Sequence, residues 1–313
     1  MKNTLYIVIP CYNEEEVLPI TSEKIKKKIR NLIKSNKISD KSKILFVNDG
    51  SKDKTWNIIV DLCKKNNEFK GLKLSKNKGH QNALLAGLTY SKNKADIIIS
   101  MDADLQDDIN AIDEMIDKYL CGKEIVYGVR SSRKKDTLFK KYTAQAYYKF
   151  MKNIGVDLVY NHADYRLLSK RAVEYLLEYK EVNLFLRGII PQIGLEHDIV
   201  YYERDKRAAG VSKYPLKKMI HFAIDGITSF SIKPLKIITV VGFIISILSF
   251  LIMLYSLIVK LLGHTVQGWT FIIISIWLIG GIQMLFLGII GEYIGKIYSE
   301  TKNRPKFFIE EDI

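Results

Sequence analysis

Two patterns of hydrophobicity run along this chain, and they predict different elements. Through the first half, short apolar runs at 5–10, 43–48, 72–74, 96–102 and 125–129 alternate with amphipathic stretches at 14–33, 54–65, 79–91 and 109–120. Apolar runs of that length read as buried strands, and the stretches between them carry helical spacing. Strand–helix alternation predicts an α/β fold: a parallel sheet with helices on its faces. In such sheets ligands bind beyond the carboxyl ends of the strands.

The second pattern is continuous. Residues 237–259 and 269–290 are uncharged runs of about 23 and 22 residues, each long enough to cross a bilayer. Only GHTVQG at 263–268 separates them, so they predict a two-helix transmembrane hairpin. That loop lacks Lys and Arg, whereas Lys233 and Lys236 precede the first run and Lys296, Lys302, Arg304 and Lys306 follow the second. The basic flanks place both chain ends in the cytoplasm at the cell membrane. Lys260 lies near the outer interface, where its stem can snorkel. The opening MKNTLYIVIPCYNEEE has too short an apolar stretch for a signal peptide. The expected layout is an α/β domain over 1–214, a juxtamembrane helix over 215–232, the hairpin over 233–295 and a cytoplasmic tail over 296–313. So small an anchor leaves self-association into a homo-oligomer open.

Two basic amphipathic stretches adjoin the anchor. In 138–154, Phe139, Tyr142, Ala146, Phe150 and Ile154 share a helical face, with Lys140, Lys141, Lys149 and Lys152 mostly elsewhere. Such a helix suits a membrane interface, or equally packs as a surface helix on the domain. The segment PLKKMIHFAIDGITSFSI at 215–232 leads directly into the first span and reads as interfacial. SSRKKD at 131–136 reads as a loop.

Charge narrows the partners. The chain has 48 Lys and Arg against 34 Asp and Glu, a net charge of +14. That excess fits a lipid bilayer with an anionic surface, or phosphorylated ligands. No nucleic-acid motif accompanies it, so nucleic acid is not expected as a partner. Cys11, Cys63 and Cys121 are widely spaced and read as free thiols.

Against this basic background SMDADLQDD, residues 100–108, concentrates four carboxylates after an apolar run. Residues i and i+2 at an extended strand end point the same way, so Asp102 and Asp104 can share one divalent cation. Mg²⁺ or Mn²⁺ held so also takes oxygens from a substrate diphosphate and acts as a Lewis acid. Gln106 offers a neutral oxygen. The alternative is a solvated loop. Asp107 and Asp108 read as the acidic start of the next helix, where the dipole favours them. Polar clusters close the other strands as well: Tyr12-Asn13-Glu14, Asn48-Asp49-Gly50-Ser51 and Gly128-Val129-Arg130.

As an ordered set, IVIPCYNEEEVLP, FVNDGSKDKT, NKGHQNALLAGL, MDADLQDD and RAAGVSKYPLKKMI resemble the family 2 glycosyltransferases. More narrowly they are similar to the polyprenyl-phosphate branch, the bactoprenol glucosyltransferases and dolichol-phosphate mannosyltransferases. The resemblance extends over 1–232, and the hairpin resembles the bacterial membrane-bound subgroup. It implies a GT-A (Rossmann-like) fold and an inverting, metal-dependent transfer of one hexose. The donor would be a nucleotide sugar such as UDP-glucose or UDP-GlcNAc, and the acceptor undecaprenyl phosphate on the cytoplasmic leaflet, for cell-envelope glycan modification. By motif, Pro10, Tyr12, Glu14 and Asp49 would hold the nucleotide, and Asp102, Asp104 and Gln106 the metal. Gly79 in GHQN would let the chain approach the donor, or simply start a helix. Arg130, and Arg207, Ser212 and Lys213 in the RAAGVSK loop, would grip phosphate.

YNHADYR at 160–166 resembles the acceptor-side segment, with Asp164 near the transferred sugar and Arg166 near a phosphate. The family often has Thr, Ser or Gly where this chain has His162-Ala163-Asp164. That departure leaves Asp164 open between base, positioning group and structural partner of Arg166. A phosphate ester whose second pKa is about 6 is largely ionised at neutral pH and needs positioning more than deprotonation. Two rival functions differ in kind. A processive polysaccharide synthase should bring more spans and a Gln-x-x-Arg-Trp motif, which this sequence lacks. A non-catalytic membrane scaffold or sugar-binding protein would have no need of the Asp102/Asp104 pair.

Overall fold

The computed structural model describes residues 2–131, 162–182, 185–203, 232–262 and 268–313. The 138–154 stretch, nearly all of 215–232, the loop at 132–136, the loop between the apolar runs, and Arg207, Ser212 and Lys213 lie outside the described residues.

The first half alternates as its hydrophobic pattern demands. Strands β1 (Leu5–Cys11), β2 (Lys43–Asn48), β3 (Phe69–Leu74), β4 (Ile97–Ser100) and β5 (Ile125–Arg130) are interleaved with helices α1 (Leu18–Lys34), α2 (Thr55–Lys65), α3 (His80–Ser91) and α4 (Ala111–Leu120). Then follow β6 (His162–Ser169), α5 (Lys170–Glu178), α6 (Leu186–Gln192) and β7 (His197–Tyr202). Helix α1 starts at Leu18 rather than near residue 14, with Pro19 in its first turn, where a missing N–H costs nothing. Strand β4 ends at Ser100, two residues before the first carboxylate of the acidic cluster.

With β8 (Ile309–Asp312), these strands form one mixed sheet in the order β7-β5-β6-β4-β1-β2-β3-β8. Strand β1 runs parallel to β2 and β4, and β2 parallel to β3. Leu5, Ile7 and Ile9 are buried with Ile25, Ile29 and Leu32 of α1 in the same core cluster. On another side of β1 and β2, a Cβ on Gly87 of α3 would lie 2.3 Å from Val8 Cγ1, so that helix sits too close for any side chain there. Burial on both faces explains why these strands read as unbroken apolar runs.

Two insertions break the parallel rule, and both matter. Strand β6 lies between β4 and β5, antiparallel to each, with Arg166 opposite both Ser100 and Tyr127. Its beginning therefore lies at the carboxyl ends of its neighbours. Strand β8, in a segment whose sequence reads as a tail, pairs antiparallel with β3 at the sheet edge. The pairing continues to Ile313, which exchanges two 3.0 Å backbone hydrogen bonds with Gly71.

The described residues up to 203 and Arg304–Ile313 belong to one compact unit. A second unit contains α7 (Lys233–Leu261) and α8 (Trp269–Thr301). Both are long and apolar enough to cross a membrane. Phe243, Tyr255 and Met284 are among the many large apolar side chains they leave exposed. Apolar surface on that scale calls for lipid or a partner to cover it.

Candidate active site

The carboxyl edge of the sheet is assembled by loops that hold one another. After β1, the Asn13 N–H donates to Ser51 Oγ at 3.0 Å and the Glu14 N–H to Thr55 Oγ1 at 2.9 Å. In return the Lys52 N–H donates to Asn13 Oδ1 at 2.9 Å. This lock places Pro10, Tyr12 and Glu14 beside the Asp49 loop. Asp49 is 2% exposed, and its two carboxylate oxygens accept the backbone N–H groups of Lys78 and Gly79 at 2.7 and 2.8 Å. Burial pushes its pKa up despite those two bonds and the nearby His80. Its main work in this structure is to pin the turn that starts α3. Gly50 is required there, because at φ +63° a Cβ would meet Asn77 N at 2.5 Å.

The acidic cluster lies on a turn rather than a strand end, which corrects the extended geometry expected from the sequence. Inward and outward positions nevertheless alternate through it. Met101, Ala103 and Leu105 are buried, while Asp102, Asp104 and Gln106 are half-buried. Thr21 Oγ1 of α1 donates to the Ala103 carbonyl at 2.7 Å, and Leu105 adopts a left-handed φ of 56°. That conformation is uncommon outside glycine, and it turns the chain sharply between Asp104 and Gln106. The Gln106 N–H donates to Asp104 Oδ1 at 3.2 Å.

Asp107 is a second correction. Helix α4 begins only at Ala111, and the acids in its first turn are Asp113 and Glu114. Asp107 faces inward and accepts the Tyr202 hydroxyl at 2.5 Å. Burial, then the neighbouring Asp102 charge, push its pKa up to about 6, against the opposing effects of Tyr202 and Arg130. Arg130, at the end of β5, thus acts on this buried pair. Asp108 accepts the Asn110 N–H at 2.9 Å, close to the helix-start role expected of it.

Facing the acidic turn is a cationic cluster built by β6. Because β6 is antiparallel to β4, Asp164 arrives beside the acidic turn, and Ser100 Oγ donates to its carbonyl at 2.6 Å. The Asp164 side chain accepts a hydrogen bond from Arg166 Nη2, and bonds from Arg187 Nε and Nη2 at 3.2 and 3.0 Å. Burial alone would raise the Asp164 carboxyl, but the guanidiniums of Arg187 and Arg166, with His80, hold it well below the usual carboxylate range. Arg187 comes from the start of α6, which is tied to α3 by a 2.9 Å bond from the Leu186 N–H to Gln81 Oε1.

One imidazole joins the two sides. His80 Nε2 lies 3.6 Å from Asp102 Oδ1 and 3.8 Å from Asp164 Oδ2. His80, Arg187 and Tyr202 were not singled out as site residues from the sequence. A single Arg in the apolar run NLFLRGII was the available signal for one of them, since Arg is seldom placed among apolar side chains without a partner.

The donors suit a hard cation in part only. Asp102 and Asp104 supply two carboxylates, and among the described residues no group of three or more His, Cys, Asp or Glu could hold a metal. Such a pair leaves most positions of a Mg²⁺ or Mn²⁺ shell to water and substrate oxygens. The pKa of Asp107 is raised first by burial and then in part by the charges of Asp102 and Asp104, a direction that a cation bound beside them would oppose.

Residues 6–177 match the family model described as Glycosyl transferase family 2. The chain belongs to this family. It is a glycosyltransferase, and its mixed α/β sheet is of the GT-A kind. It is 53% identical over 309 residues to the uncharacterized glycosyltransferase YkoT of Bacillus subtilis, covering 99% of this chain and 92% of that one. It is 37% identical to the SfII prophage-derived bactoprenol glucosyl transferase of Shigella flexneri, covering 97% of each. Among solved structures, glucosyl-3-phosphoglycerate synthase from Mycobacterium tuberculosis is similar over 72% of this glycosyltransferase and 78% of that chain, at 16% identity and a TM-score of 0.47.

Proposed function

We propose that this glycosyltransferase moves one hexose from a nucleoside-diphosphate sugar, most simply a UDP-hexose, to undecaprenyl phosphate at the cytoplasmic face of the membrane. The observation that carries this reading is the meeting of an acidic turn and an arginine-clamped strand at one imidazole, 3.6 and 3.8 Å from the two carboxylates. One side suits a cation-bound diphosphate and the other an anionic acceptor. The bactoprenol glucosyl transferases, similar along nearly the whole chain, support the acceptor class. Two lipid-length apolar helices support a membrane-borne acceptor.

Asp102 and Asp104, with Gln106 beside them, would hold Mg²⁺ or Mn²⁺, which when bound screens the diphosphate leaving group. Pro10, Tyr12, Glu14 and the Asp49 loop would hold the nucleotide. Arg130 would act near the phosphates. The acceptor phosphate is already ionised near neutral pH, so the protein has to place its oxygen opposite the leaving diphosphate, which inverts the anomeric carbon. Asp164, clamped by two guanidiniums and held far below neutral pH, is unsuited to take a proton, and positioning is the role left to it. Arg207, Ser212 and Lys213 are proposed as further phosphate contacts on motif alone.

Both ends of the helix pair connect to the same folded unit, since Arg304–Ile313 returns to the sheet formed by residues 5–202. Two crossings that start and finish on one unit would keep that unit on one side of a bilayer. The basic flanks of the helices support the cytoplasm as that side.

The test is transfer itself. Purified protein, undecaprenyl phosphate and Mn²⁺ are incubated with a panel of labelled UDP- and GDP-sugars, and label entering the lipid phase is counted. One donor should give a labelled lipid that releases its sugar on mild acid treatment. Label confined to the aqueous phase for every donor would refute the proposal.

A further inference from the structure

We infer that Arg187 is the residue that grips the acceptor phosphate, and that Asp164 and Arg166 are its mount. The inference rests on the transfer reading above. Sequence resemblance assigned that contact to Arg166, but the structure gives the two arginines different surroundings. The Arg166 side chain is 1% exposed and ion-pairs with Asp164 from within the sheet, where a lipid headgroup has no approach. The Arg187 side chain is 36% exposed and reaches the same carboxylate from α6.

The charge balance points the same way. Two guanidiniums share the Asp164 carboxylate here, next to an acidic turn that would repel a phosphate on its own. A guanidinium offers five donors in a planar fork. The bonds from Nε and one Nη to Asp164 orient the Arg187 guanidinium. Orientation in advance lowers the entropy lost when a flexible side chain meets its ligand. The position is fixed further because Leu186 is tied to Gln81, whose neighbour His80 lies 3.6 and 3.8 Å from the Asp102 and Asp164 carboxylates. A phosphate held by Arg187 would therefore sit within a few side chains of the cation-binding turn, as attack on a diphosphate-activated sugar requires.

The test separates Arg187 from its mount and from the reaction. Wild type, Arg187→Gln and Arg187→Lys are compared in steady-state transfer, and in equilibrium binding of farnesyl phosphate without donor or metal. Arg187→Gln should raise the acceptor KM and the farnesyl phosphate Kd roughly 10- to 100-fold, the range for a lost charge-assisted hydrogen bond, with donor KM unchanged. Arg187→Lys should fall between, since it keeps the charge and loses the fork. In the double variant with Asp164→Asn, the acceptor defect should exceed that of Asp164→Asn alone. An unchanged Kd in Arg187→Gln, or a double variant no worse than Asp164→Asn, would overturn the inference. So would a loss of donor binding and melting temperature together, which marks a mere strut. If wild type transfers no sugar, the transfer reading falls, while the binding comparison still decides the fate of Arg187. Wild type that fails to bind farnesyl phosphate sinks the inference outright.

Discussion

Asp102 and Asp164 flank the same imidazole, and in every other respect their surroundings differ. Asp102 sits on a turn among other acids, and its charge helps to push the Asp107 carboxyl up to about 6. Asp164 sits on a strand between two guanidiniums and is held well below the usual range. A carboxylate among acids gains from a nearby cation, whereas one between arginines already has its countercharge. One residue type thus meets two opposite environments on either side of His80, and the neighbours decide which.

Breaking each side should have unequal consequences. Asp102→Asn should cost the most, on the order of 10²–10³-fold or more in turnover, because charge stabilisation of the leaving group is lost. Asp164→Asn should keep measurable transfer, with a loss below the roughly 100-fold expected of a missing general base. Its larger effect should be on stability, about 3–5 kcal/mol by urea unfolding, because buried Arg166 loses its counterion. Equal and complete loss of turnover in two well-folded variants would erase the contrast.

The two sides should also titrate with opposite signs. Asp107, raised to about 6, favours the protonated carboxyl in the folded protein. Its contribution is complete below the unfolded value of about 3.9 and is lost as pH rises through about 6. Asp164, held low, contributes above about 3.9, and that contribution disappears as pH falls through its own depressed value. In metal-free buffer, wild type should therefore lose roughly 1–3 kcal/mol between about pH 4 and pH 7 that Asp107→Asn does not. Parallel pH profiles for the two proteins would dispose of the assignment. The smallest effect belongs to a third kind of carboxylate. Glu196 pairs with Lys123 at 2.8 Å in the open, and Glu196→Gln should leave melting temperature and transfer at wild-type levels.

Much of this was legible in the sequence, for physical reasons. Buried parallel strands must be apolar, so β1, β2 and β4 announced themselves, and the polar residues that end them had to gather at one edge. The two lipid-length helices were equally plain. Strand β6 was not, because antiparallel insertion between β4 and β5 depends on partners far apart in sequence. The pairing of Asp164 with Arg187 likewise joins residues 23 positions apart and leaves no periodic trace. Asp107 misled because a run of acids reads as a helix start, whereas in the fold it turns inward to accept the Tyr202 hydroxyl. Strand β8 carries IEED, whose acids are typical of a solvated tail. Its fit depends on a notch at Gly71, where a Cβ would lie 2.8 Å from Ile313 Cγ1.

That last strand sets a timetable for biosynthesis. Lys73 of β3 and its partner Glu310 are 237 positions apart, with both apolar helices between them. At about 5–20 residues per second, a ribosome needs roughly 10–50 s to make that stretch. Throughout that interval the edge of β3 offers unpaired N–H and C=O groups to any passing strand. Lys70 and Lys73 stand on that edge, and charged side chains of this kind discourage pairing between chains. The nascent enzyme thus carries its own guard until the closing strand emerges, after both apolar helices have been made.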